Sequence, residues 1–408
     1  MSNQSPTPIF TTYQKLVIAL LALTQFTVVL DFMIMSPLGD ILMKEMSITP
    51  KQFGIAVSSY AFSAGISGLL AAGFADKYDR KTLLLFFYIG FIVGTFFCGI
   101  APNYEWLVAA RIFTGLFGGV IGSISMAIIT DLFSIEQRGR VMGTVQMGFA
   151  ASQVLGIPIG IYIANLWGWH WTFLMIVGLS FLLFFVIYRK LEPVNKHLAL
   201  QTEDNFWVHF KQVMAQPNYQ LTFLATALLS IGGFLMMPFG SAYAVNNMGV
   251  SQAQLPIIFM CTGISSLIIM PLIGRLSDRI DKFKIFTFGS LWAAIFIIIY
   301  TNLPPIPLWS LIILNILMFI GIMSRMIPAG ALTSAIPDMK DRGAFMSINA
   351  SLQQIAGGIA TACAGMIVVQ NGKFSPLEHY DTLGYIGAFV MVICVYLVYK
   401  VSVLVKAK

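Results

Sequence analysis

The chain predicts an all-α integral membrane protein, with twelve transmembrane helices arranged as two pseudo-symmetric six-helix bundles. Three observations carry that expectation. Of 408 residues, 58% are hydrophobic and 10% charged, against about 25% charged in ordinary soluble domains, so a soluble fold of this size could not hide its apolar surface. Apolar runs of about 20 residues, the length that spans a bilayer, recur along the whole chain. The chain also repeats itself: Asp278 follows Asp76 by 202 residues in similar charged turns, and Arg342 follows Arg138 by 204. Two matches at nearly half the chain length imply a duplicated unit.

The runs place helices at 14–37, 53–75, 82–101, 105–131, 141–164, 170–189, 219–245, 254–276, 284–302, 307–335, 344–370 and 381–403. They divide the chain into a first bundle (1–189), a linker (190–218) and a second bundle (219–408). With both termini on one side, 19 of the 24 Lys and Arg residues fall on that side. Three (Lys44, Lys51, Lys373) fall opposite, and Arg111 and Arg325 lie within spans. That asymmetry predicts cytoplasmic termini in the inner membrane. The +7 net charge is thus a topology signal, and its dispersal over separate turns argues against a nucleic-acid partner. The first apolar run lacks a basic start and a cleavage site, so it reads as a retained span. Cys98, Cys261, Cys363 and Cys394 show no paired spacing, and small packing residues are the expected role.

In the first helix, Thr27 is placed toward the cavity and Asp31 sits among Leu30, Phe32, Met33, Ile34 and Met35. A charge near mid-membrane costs about 2.5–3.5 kcal/mol on insertion scales, which makes Asp31 a candidate for function. A carboxylate at the outer interface, or one held by a structural partner, is the plainer alternative. The second helix runs into Ala72-Gly73-Phe74-Ala75-Asp76-Lys77-Tyr78-Asp79-Arg80-Lys81. In the second half Gly274-Arg275-Leu276-Ser277-Asp278-Arg279-Ile280-Asp281-Lys282 has the same plan. Helix N-termini carry about half a positive charge. A carboxylate beside one makes a breakable latch, with Asp76 addressing the helix start near Gly343 and Asp278 the one near Gly139. Arg80, Lys81 and Arg279 complete those turns, and solvated topogenic charges are the alternative.

Both turns resemble the signature loop of the major facilitator superfamily, a small residue followed by x-(L/A)-(A/S)-D-(R/K)-x-G-(R/K)-(R/K). Gly274, Leu276, Ser277, Asp278 and Arg279 match in one copy, and Asp76, Arg80 and Lys81 in the other. Ala72 replaces the first glycine, and Asp79 and Asp281 stand where the later glycine is usual. Leu107 through Gly119 resembles the superfamily's l-x-x-R-x-x-q-G segment, with Thr114 in place of glutamine. Arg111, Gly115, Gly118 and Gly122 share one helix stripe suited to close packing. The resemblance implies a major facilitator fold and a proton-transfer role for Arg111, with Asp31 as counter-charge. A static ion pair is the alternative.

Helix 5 carries Gly156-Ile157-Pro158-Ile159-Gly160, similar to the superfamily's antiporter motif, then Trp167-Gly168-Trp169-His170-Trp171-Thr172-Phe173, similar to bacterial drug and sugar efflux members. The tryptophans also suit an interfacial belt. In the linker, Asp204 is placed to cap a helix with Phe206, Phe210, Val213 and Met214 on one face, closed by Pro217 and lying on the inner leaflet. Arg325 stands alone in an apolar run and needs an internal partner, a wet cavity or an anionic substrate. Gln146 and Gln153 at i, i+7, and Asn349 and Gln353 at i, i+4, place polar groups on single helix faces. These either line a cavity or bond between helices.

The leading functional expectation is a secondary active transporter that exports small, amphipathic, drug- or sugar-like molecules in exchange for protons. The alternative is an organic-anion or sugar transporter with Arg111 or Arg325 holding the anionic group, and after that a non-transporting receptor. Four isolated histidines and no phosphate-cradling loop argue against an enzyme, and no cofactor or metal motif is present. The expected partners are a small-molecule substrate, protons and the lipid bilayer, with the chain acting as a monomer.

Overall fold

Thr11 opens the first span. Its hydroxyl accepts from the Gln14 backbone N–H, and the Gln14 side chain accepts from the Thr11 N–H, a reciprocal capping box that satisfies two otherwise orphaned donors. The computed structural model describes residues 10–71, 75–195, 198, 206–338 and 341–407. The first half comprises α1 (Thr12–Ile34), α2 (Gly39–Glu45), α3 (Pro50–Ala71), α4 (Arg80–Gly99), α5 (Tyr104–Leu132), α6 (Ile135–Ala151), α7 (Ile157–Trp167) and α8 (Trp169–Lys190). The short α9 (Phe206–Ala215) precedes the second half. That half comprises α10 (Pro217–Phe234), α11 (Gly240–Asn246), α12 (Leu255–Arg279), α13 (Lys282–Asn302), α14 (Leu308–Ser334), α15 (Arg342–Ile367) and α16 (Tyr380–Lys406).

Among the described residues, eleven helical segments are long and apolar enough to cross a membrane. The twelfth, α15, is about 39 Å long at 1.5 Å per residue but is too polar to stand among them. It is instead packed against α3 through small residues. A Cβ at Gly54 would lie 3.1 Å from Gly365 Cα, and one at Gly68 would lie 2.8 Å from Ser351 Oγ. Only small side chains let backbones approach so closely.

The first span ends at Ile34, close to its expected end at Pro37, and after a turn at Met35–Leu38 the chain continues as the short α2. Two expected spans are not continuous. The seventh breaks after Phe234, passes through a 3-10 turn, Met237–Phe239, around Pro238, and resumes as α11. Proline lacks the N–H that a continuous ladder needs. The turn around Pro37 and the break around Pro238 are themselves a repeat, since Pro37-Leu38-Gly39 and Pro238-Phe239-Gly240 lie 201 residues apart. The fifth span is interrupted by a wide π turn, Ser152–Gly156, between α6 and α7.

The halves are joined at the end away from the termini. Ser36 Oγ donates to the Met237 carbonyl, and Ser241 Oγ donates to the Ser36 carbonyl at 2.6 Å, so the two breaks hold each other. Toward the terminus-bearing end α6 and α12 part. Cβ atoms placed at Gly139, Gly143 and Gly274 would meet nothing within 4 Å, and Met147 is 63% exposed. Those faces of α6 and α12 are open at the terminus-bearing end, where a cleft between the halves would lie.

In the linker helix Val213 is fully buried, and Phe210 and Met214 pack against the second half's cluster with Phe223 and Phe345, so α9 docks one face on the second half. Asp204 lies outside the described residues, and Pro217 starts α10 instead of closing α9. His209 Nε2 lies 3.6 Å from Asp341 Oδ1, while Tyr219 OH donates to Asp341 Oδ2 at 3.0 Å.

Candidate functional site

One turn before the first break, α1 presents Asp31. Its Oδ2 accepts from Arg111 Nη1 of α5 at 2.8 Å, and its Oδ1 accepts from Thr95 Oγ1 of α4 at 3.1 Å. Arg111 also reaches the Asp31 carbonyl at 3.4 Å and stacks over the Tyr60 ring of α3 at 4.4 Å. Both charged side chains are 0% exposed. Burial of two ions is costly and is tolerated only with good geometry and extra hydrogen bonds. Here those come from four helices, yet Arg111 Nε and Nη2 keep no partner. The arrangement is a charge-neutral buried pair in which two guanidinium donors stay unsatisfied.

Glycines make that approach possible. A Cβ at Gly115 would sit 2.1 Å from Ser63 Oγ, and one at Gly118 would sit 2.5 Å from Tyr60 OH. A Cβ at Gly156 would sit 2.7 Å from Leu30 Cδ1, and one at Gly160 would sit 2.8 Å from Ile34 Cδ1. Pro158 is buried at the start of α7, where the absence of its N–H is tolerated.

The polar residues expected in a cavity divide into two groups. Gln146 is exposed on α6, and Gln153 and Gln353 are half-buried. The Gln153 amide lies 3.9 Å from Met33 Sδ. Asn349 is buried, with Oδ1 unpartnered. Between the halves, Phe32 of α1 and Phe234 of α10 pair at 5.9 Å. Two residues lie elsewhere. Thr27 is buried and shares a 2.9 Å hydrogen bond with Tyr88 OH of α4, inside the first half. Arg325 is 2% exposed and packs among α10, α13, α14 and α16, inside the second half and away from the cleft. A helical wheel gives the face of a residue but not which neighbour covers it.

The expected latch is not engaged on the described side chains. Asp278 and Arg279 are exposed, and the helix starts at Gly139 and Gly343 are open. The Asp76 side chain lies outside the described residues, as do Ala72, Gly73 and Phe74. Arg80 is buried and bonds within its own half, donating to Asp131 Oδ2 at 3.2 Å and to the Ala75 carbonyl at 3.1 Å. Lys81 Nζ lies 5.8 Å above the Tyr188 ring.

The far-end seal was missed by the sequence reading. Asp40 of α2 is 1% exposed, pairs with Lys44 Nζ at 2.7 Å and accepts from the amides of Asn246 and Gln252 in the other half. Asn165 of α7 donates to the Gln252 carbonyl at 2.9 Å. The repeated Pro-x-Gly was the available signal. Among the described residues no group of His, Cys, Asp and Glu is placed to hold a metal.

The whole-chain architecture has known counterparts. The family model described as Major Facilitator Superfamily matches residues 21–361 and 222–405. The MFS-type transporter YceJ of Bacillus subtilis is 23% identical over 363 residues, 88% of this chain and 91% of that protein. The multi-drug resistance efflux pump PmrA of Streptococcus pneumoniae is 25% identical over 257 residues, 61% of this chain and 63% of that protein. A crystal structure of a D-xylose–proton symporter superposes with a TM-score of 0.75 at 16% identity, covering 93% of this chain and 97% of that one. The chain therefore belongs to the Major Facilitator Superfamily and is a multi-pass membrane transporter, not an enzyme.

Proposed function

We propose that the chain exports small, amphipathic molecules in exchange for protons by alternating access, with Asp31 as the proton carrier. The observation that carries this reading is the sealed Asp31–Arg111 pair, 0% exposed and joined at 2.8 Å. Low dielectric favours a neutral acid while the guanidinium favours its anion, so the balance turns on how closely the two are held. Asp31 lies five residues before Ser36, whose hydroxyl and carbonyl both bond to the second half. A proton arriving at Asp31 weakens its hold on Arg111, and α1 carries that change to the far-end seal. Relatives such as the efflux pump of Streptococcus pneumoniae support export.

The cleft supports an uncharged contact surface. Gln146, Gln153, Gln353, Phe32 and Phe234 supply amides and rings, while Arg111 is paired and Arg325 is enclosed. The organic-anion reading loses both of its cations on that geometry. In the proposed topology the termini are cytoplasmic in the inner membrane, as the 19 to 3 cation asymmetry argues. The halves 1–189 and 219–408, joined by 190–218, move about one cleft in a single chain.

Everted membrane vesicles test this. Addition of substrate is expected to release protons from energised vesicles containing the native protein, and Asp31→Asn should abolish that release while leaving substrate binding measurable. Exchange of a neutral substrate for a proton moves net charge, worth about 2.3 kcal/mol per 100 mV, so native flux should also follow the membrane potential. Unchanged coupling in Asp31→Asn would remove the assignment.

A further inference from the structure

Inside the second half, Arg325 of α14 lacks the counter-charge that Arg111 has in the first. Its Nε donates to Ser290 Oγ of α13 at 3.1 Å, and its guanidinium lies 5.9 Å from the Phe286 ring and beside the Cys394 thiol of α16, but Nη2 is buried with no partner. No carboxylate lies within ion-pair distance among the described residues. An enclosed, uncompensated cation is among the most expensive groups a membrane protein can carry.

The internal repeat identifies what is missing. At the 201-residue offset that aligns Pro37 with Pro238 and Gly39 with Gly240, Asp31 aligns with Gly232. Gly232 lies on α10, the counterpart of α1, and a Cβ placed there would sit 3.5 Å from Arg325 Nη2 and 3.7 Å from Nη1. The carboxylate that neutralises an arginine in one half is thus absent beside an arginine in the other. Arg325 is not itself the repeat counterpart of Arg111, which is Asn315 at an offset of 204. The correspondence is one of neighbouring helices and of charge.

We propose that Arg325, with the Ser290 hydroxyl, binds a small monovalent inorganic anion of the halide class where the repeat's carboxylate is missing. One to two turns nearer the terminus-bearing end, α10, α14 and α16 border a small recess of about 10 Å³, space for one water-sized guest. It is lined by Ala225, Thr226, Leu229, Ala329, Leu332 and Thr333 among others. The site is separate from the cleft and does not depend on the proton-exchange reading.

The test uses the purified full chain in detergent, with melting temperature read in sodium chloride, sodium bromide and sodium gluconate at equal ionic strength. A ligand that binds only the folded state raises stability with its concentration, so the native protein should melt higher in chloride and bromide than in gluconate. Gly232→Asp restores the missing carboxylate, and its melting temperature should be high in gluconate and indifferent to halide. Arg325→Met should also lose the halide response. A native melting temperature indifferent to the anion would overturn the proposal, as would a full halide response retained in Gly232→Asp. An indifferent native protein destabilised by Cys394→Ser would point instead to the neighbouring thiol as the partner of Arg325, and would equally overturn it.

Discussion

A Cβ added at Gly115 would lie 2.1 Å from Ser63 Oγ and 2.5 Å from the Tyr60 carbonyl oxygen, whereas one at Gly122 meets only Gln25 Oε1 at 4.0 Å. Overpacking a tight contact costs about 1–3 kcal/mol, while replacing an uncrowded helical glycine by alanine gains up to about 1 kcal/mol. Gly115→Ala should therefore lower the melting temperature and Gly122→Ala should hold or raise it; equal responses would show that the α3–α5 contact is softer than its geometry. A second residue-scale expectation concerns pH. Asp281 caps α13, accepting from the Phe283 N–H at 2.8 Å and pairing with Lys406 Nζ at 2.6 Å. The hydrogen bond from Lys406, helped by the backbone N–H groups of Phe283 and Lys284, holds its carboxyl below the ordinary range. A lowered carboxylate contributes fully above its unfolded value of about 3.9 and is lost as pH falls through the lower folded value. Native stability should thus drop below about pH 4 more steeply than that of Asp281→Asn, and parallel acid titrations of melting temperature would contradict this. Asp31 and Arg111 were legible as candidates because an intramembrane charge is costly anywhere it occurs. The surroundings of Arg325 were not, because which helix covers a face is settled only by tertiary packing.

At the scale of elements, hydropathy located the spans but passed over their interruptions. A window of about 19 residues averages away a short break, so α10 with α11 reads as a single helix although Pro238 was in plain view, whereas the first span was placed to end at Pro37. Asp40 fell in a predicted loop and thus escaped notice, while its partners Asn246 and Gln252 lie more than 200 residues away. The latch turns were legible as a motif, but whether they engage depends on which end of the molecule is closed, and no local pattern encodes that. The seal makes its own prediction. Asp40→Ala removes the acceptor shared by both amides, and hydrogen bonds to a charged group are worth about 1.5–3 kcal/mol each. Spin labels on α2 and α11 should then report a population with the far ends separated, larger than in the native protein. An unchanged distance distribution would mean that Ser36 and Ser241 hold the far end without Asp40.

For the whole molecule, duplication was readable because its charged turns survive at one offset, and the halves it implies are those that meet at the paired prolines. The polarity of α15 reaches beyond transport, to how the chain is made. Spans are sorted into lipid as they emerge during synthesis, each according to its own partitioning, and α15 has the weakest claim of the twelve. Its stabilising neighbour α3 belongs to the other half, so the eleventh span depends on a segment synthesised long before it. Placed alone between soluble reporter segments, α15 should insert poorly where α16 inserts well; efficient insertion of α15 by itself would dissolve the dependence. Each polar side chain that serves the seam between the halves delays the helix's entry into the bilayer, which ties assembly order to the surface that later has to move.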